Sequence, residues 1–120
     1  MNNWKLGAVE ARFADIIWQN APLTSGELAK MAERSLGWKK TTAFTVLKRL
    51  CDRGIFQNDC GTVTALISRG DFYARQSEEY LQESFDGSLP AFLVAFASRK
   101  KLTDAEREEL QRIIDGMRGE

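Results

Sequence analysis

The chain has 120 residues, 43% apolar and 28% charged, which fits one domain or a small domain with an extension and excludes large catalytic scaffolds, disorder and low-complexity repeats. With no histidine and only Cys51 and Cys60, it lacks the commonest zinc ligand and general base and cannot build a disulfide framework, so no metal or other cofactor is expected. The formal net charge is zero, yet residues 1–67 carry nine Lys/Arg against six Asp/Glu and residues 68–120 eight against eleven, which gives the amino-terminal half the balance of a polyanion-facing surface.

From Leu6 to Trp18 the apolar residues Leu6, Val9, Phe13, Ile16 and Ile17 recur at three- and four-residue intervals, which predicts an amphipathic helix stopped by Asn20-Ala21-Pro22. Thr24-Ser-Gly-Glu27 has the spacing of a capping box. Leu28, Met31, Ala32 and Leu36 then supply the apolar stripe of a short second helix, closed by Gly37. Thr41 to Arg53 predicts a third helix with Ala43, Val46, Leu47, Leu50 and Cys51 inward, ending at Gly54. Ile55–Gln57 and Val63–Ile67 are strand-like runs around the turn-forming tract Asn58–Thr62 and predict a β-hairpin.

The expected fold class is therefore mainly α with a small β-hairpin. A winged helix-turn-helix over residues 1–68 is followed by a helical dimerisation region over residues 69–120. In that region a helix to about Phe85 carries Tyr73, Tyr80, Leu81 and Phe85 and is broken at Asp86-Gly87. Ser88-Leu89-Pro90 restarts a helix that Leu89, Phe92, Leu93, Val94 and Phe96 make apolar on nearly every side. Thr103–Glu106 repeats the capping box before the stripe Leu110, Ile113, Ile114 and Met117, and the tail is expected to fray through Gly116 and Gly119. So short a segment buries too little surface alone, which points to a homodimer glued through Tyr80, Leu81, Phe85, Leu89, Phe92, Leu93, Phe96, Leu110, Ile113 and Ile114.

In a helix-turn-helix the second helix of the pair enters the major groove of double-stranded DNA with its amino-terminal residues forward. Here that helix turns Thr41, Phe44, Thr45 and Lys48 outward, flanked by Lys39, Lys40 and Arg49. The cations suit phosphates, and the threonines suit base edges. Phe44 could sit against a thymine methyl, pack onto the hairpin, or mark a surface for protein; the first two together fit best. The turn Asn58–Thr62 offers no Lys or Arg for a wing contact, so binding should lean on helices. The rival is a protein-interaction adaptor that docks through Phe44 without reading DNA. No glycine-rich phosphate loop, metal cluster or histidine supports a hydrolase, and the adjacent carboxylates Glu78/Glu79 and Glu108/Glu109 point to different sides of their helices, so no enzyme is expected.

The segments Leu23–Ala29, Gly37–Leu50 and Arg53-Gly54-Ile55 resemble the penicillinase-repressor family of winged-helix transcriptional regulators, most specifically in Trp38-x-x-Thr41-Thr42 with Leu47-Lys-Arg-Leu50. Ser77–Phe85, Gly87–Leu89 and Phe96–Thr103 through Glu109-Leu110 look like its dimerisation helices. The resemblance implies a homodimeric repressor of an inverted-repeat operator, with Thr41, Thr42, Thr45, Lys48 and Arg49 at the reading positions. It also implies release through a membrane-bound sensor or protease system that cuts at an Asn-Phe bond; this chain has Ala95-Phe96 there. No cysteine follows Cys60, so the paired-cysteine metal motif of copper-responsive relatives is missing. No apolar run approaches the ~20 residues that cross a bilayer, and Met1–Gly7 lacks a secretory pattern, which predicts a cytoplasmic protein with no membrane insertion.

Overall fold

The structure, a computed structural model, describes residues 5–117; the expected fraying through Gly119 and most of the Met1–Gly7 leader reading lie outside the described residues. The elements in chain order are α1 (Ala8–Asn20), β1 (Leu23–Thr24), α2 (Ser25–Leu36), α3 (Lys40–Asp52), β2 (Phe56–Asp59), β3 (Thr62–Ala65), α4 (Arg69–Phe85), α5 (Leu89–Arg99) and α6 (Asp104–Gly116). They form two compact units, one ending at Ser77 and the other beginning at Glu78.

In the first unit, α1 turns Phe13, Ala14 and Ile17 inward, whereas Val9, on the same apolar spacing, stays exposed. The capping box of α2 is formed as its spacing predicts: the Glu27 amide donates to Thr24 Oγ1 at 3.0 Å, and the Thr24 amide to Glu27 Oε1 at 2.9 Å. Gly37, at φ 70°, ends α2 in the left-handed conformation that a side chain disfavours, and its amide reaches the Glu33 carbonyl. Only Trp38 and Lys39 then separate it from α3, which packs Ala43, Val46, Leu47 and Leu50 into the core.

The hairpin is tighter than the sequence tract suggests. Asp59 pairs with Thr62, leaving Cys60 and Gly61, both at positive φ, as a two-residue turn; Asn58 Oδ1 accepts the Gly61 amide at 2.9 Å. A strand absent from the sequence reading joins it. Leu23 and Thr24 pair with Val63 and Thr62, giving a three-stranded antiparallel sheet in the order β1-β3-β2, and the Ser25 amide donates to the Gly61 carbonyl. The start of α2 is thereby tied to the wing.

Trp18 organises the far side of this core. Its indole lies 5.2 Å from the Phe56 ring and 5.4 Å from the Phe72 ring, and its Nε1–H donates to the Ile67 carbonyl at 3.0 Å. Phe72 is completely buried. The expected division at residue 68 and the unit boundary at Ser77 therefore differ by the first turns of α4, whose aromatic side chain completes the amino-terminal core. Arg69 fastens the same turns, pairing with Asp15 at 2.8 Å and lying over the Tyr73 ring.

In the second unit, Ser88 Oγ accepts the Ala91 amide and Thr103 with Glu106 closes a capping box, so α5 and α6 begin at their predicted caps. Tyr80, Phe85 and Phe92 form a ring cluster with centroids 5.6 to 6.2 Å apart, and Phe96 adjoins Phe92. Nothing in α5 or α6 is fully buried. Among the described residues, no helix is long and apolar enough to cross a membrane.

Candidate nucleic-acid interface

The face of α3 opposite its core residues is polar, cationic and open. Residues 37–51 contain no carboxylate, and Lys39, Lys40, Thr41, Thr42, Thr45, Lys48 and Arg49 are all exposed. At 100° per residue, Thr41, Thr45 and Lys48 lie along the middle of that face, with Phe44 on one flank and Thr42 and Arg49 on the other. Lys39 caps the helix from an extended conformation and Lys40 opens it. Both ammonium groups thus stand at the positive end of the helix, where an approaching phosphate gains from backbone amides and side chains together.

The cations are not equivalent. Lys48 pairs with Asp52 at 3.3 Å one turn on, both side chains mostly in water, so the bond is easily exchanged for another anion. Arg49 leans towards α1, where its Nη1 donates to Glu10 Oε2 at 3.1 Å. Partial burial opposes ionisation of Glu10, but the Gly7 amide, Arg49 and Arg53 outweigh it and hold the carboxyl below its ordinary range. This pair joins α3 to α1, a contact 39 residues long in sequence that no local pattern announces. The Lys40 ammonium sits 5.6 Å from the Phe44 ring centroid, a cation–π distance. Thr45 Oγ1 donates back to the Thr41 carbonyl, so its hydroxyl keeps its acceptor lone pairs for an incoming donor.

Phe44 also lines an open groove of about 460 Å³ with Ser25, Leu47, Lys48, Cys51, Asp52 and Asn58. Ser25, Asp52 and Asn58 were outside the sequence-predicted set; they arrive from α2, the end of α3 and the hairpin, and only the fold brings them together. Cys51 is half-buried, and desolvation with Asp52 beside it raises its thiol pKa, as expected for a core cysteine rather than a reactive one. Cys60 is exposed at the turn. Among the described residues, no group of Cys, Asp or Glu side chains could hold a metal ion.

In the second unit, the ring cluster gathers Tyr80, Phe85, Phe92 and Phe96, while Leu81, Leu93 and Leu110 are half-buried and Leu89, Ile113 and Ile114 exposed. Ala95 and Phe96 lie inside α5, both exposed. A protease would have to unwind that helix before the bond between them could enter an active site as extended chain.

The family model described as penicillinase repressor matches residues 6–116, covering both units. A penicillinase repressor of Bacillus licheniformis is 24% identical over 115 residues, spanning 92% of this chain and 90% of its own length. Helix-turn-helix, wing and carboxy-terminal helices are all included in these matches, and the chain belongs to the penicillinase repressor family.

Proposed function

We propose that the protein is a homodimeric transcriptional repressor that lays α3 of each subunit into the major groove of an inverted-repeat operator. The observation that carries this reading is the carboxylate-free, four-cation stretch from Gly37 to Cys51, displayed along the exposed face of a helix whose other face is locked into the core. Family membership supports repression and DNA binding. The half-exposed apolar helices from Tyr80 to Met117 support pairing of two copies, which would set the two reading helices about one helical turn apart, ~34 Å. Lys39, Lys40, Lys48 and Arg49 neutralise phosphates, and Thr41, Phe44 and Thr45 face the bases.

Selection of bound fragments from a random duplex pool tests this directly, and a symmetric motif with half-sites one turn apart is the expected result. Lys48→Ala should lower affinity for all sequences alike and reduce the log–log salt slope by about one. Failure to enrich any motif, with binding insensitive to salt, would favour the adaptor that docks on a polypeptide through Phe44.

A further inference from the structure

We propose that Phe44 is a specificity-determining residue that reads the C5-methyl group of a thymine in each half-site. The inference rests on the DNA-binding reading above and narrows it: of the partners that the sequence leaves open to Phe44, it commits the ring to one base. Phe44 is the fifth residue of α3, within the amino-terminal turns from which a recognition helix reaches base edges. It retains 36% of its surface in water, while Ala43, Val46 and Leu47 around it are buried. The ring stands on the flank of the outward face, with Lys40, Thr41 and Lys48 beside it and Leu47 and Cys51 towards the core.

The major groove presents hydrogen-bonding groups on every base pair, and its one apolar feature is the thymine methyl. A ring presented to that groove therefore has a single complementary partner. It is bordered on two sides. The Lys40 ammonium lies over the ring, and Leu47 and Cys51 line the groove that the ring borders. The cation above it also allows Lys40 to reach a phosphate while the ring meets the base beneath.

The experiment uses the full chain and a duplex carrying the selected motif, in which uracil replaces thymine symmetrically, one position at a time. This exchange removes a methyl group and leaves base pairing intact. The wild-type protein is expected to lose about fourfold in affinity per methyl, and so about fifteenfold for both half-sites, at one symmetric position only. Phe44→Ala should be indifferent to the exchange at that position and otherwise retain the salt dependence of the wild type. Phe44→Leu, which keeps apolar contact, should keep most of the discrimination. A bound motif whose uracil series is flat, or whose sensitive position persists in Phe44→Ala, overturns the assignment while leaving the repressor reading intact. Absence of any bound duplex defeats the repressor reading itself.

Discussion

In the unit ending at Ser77, Phe13, Leu50, Phe56 and Phe72 are removed from solvent completely, whereas from Glu78 onward no described residue is buried and Val94 keeps 72% of its surface in water. Each unit has one helix begun by the same device, a threonine cap with a glutamate three residues on: α2 in the first and α6 in the second. The difference lies in what the helices can cover. Around the sheet, α1, α2, α3 and the start of α4 enclose a common centre; α5 and α6 with the end of α4 are too small a set to enclose α5, which is apolar on nearly every side. Local signals are enough to make a helix, but only a sufficient number of layers makes a core. The surface left over is the one that a second copy would cover in the proposed dimer.

The largest expected effect comes from breaking the better-built side. Phe72→Ala should destabilise the first unit by about 3–5 kcal/mol, measured as a fall in the denaturant midpoint, because it leaves a ring-sized hole beside Trp18. A value near that for an exposed aromatic would show that α4 does not complete this core. Ile114→Ser, by contrast, should leave the first unit's unfolding within about 0.5 kcal/mol of wild type. Its effect should appear instead in sedimentation, as a shift of the proposed dimer towards single subunits.

Smaller and sharper is the comparison of the two capping boxes. Thr24→Ala should cost about 1 kcal/mol, since that box also begins the turn from β1 into α2. Thr103→Ala should cost the first unit nothing and merely fray the start of α6, read as faster amide exchange near Asp104. Equal losses in one common transition would join the two units thermodynamically.

The smallest effect concerns Glu10. Its folded pKa is depressed, so its contribution to stability is present above the ordinary value of 4.5 and lost as pH falls through the folded value. Arg49→Met removes one of the groups that depress it. Acid destabilisation of the first unit through Glu10 should then be smaller in total and complete at a higher pH than in the wild type, and a stability profile between pH 3 and pH 6, roughly the carboxylate titration range, checks it.

Caps, helix periodicity and the turn chemistry of the hairpin could be read directly because each depends on residues within about four positions of one another. The exposed face of α3 was legible for the same reason: once Ala43, Val46, Leu47 and Leu50 are inward, the polar remainder must be outward. What could not be read is what joins distant segments. The two residues of β1 have no pattern of their own and become a strand only because Val63 and Thr62 lie alongside. Phe72 looks in sequence like any aromatic residue of the carboxy-terminal helices, and only the position of Trp18 draws it into the amino-terminal core. Arg49 carries the same charge as Lys48, yet its partner is a carboxylate on α1, whereas Lys48 pairs with Asp52 of its own helix.

The chain contains three tryptophans, and all of them precede residue 39. Trp18 sits among Phe56, Phe72 and Tyr73 with its N–H committed to a carbonyl, and Trp38 packs at 5.0 Å from Phe13. Indole emission is consequently a natural optical reporter of one half of the molecule. Excited at the red edge, the protein signals the melting of its amino-terminal core through its own chromophores, while separation of the carboxy-terminal helices should leave that colour largely unaltered and has to be followed by mass.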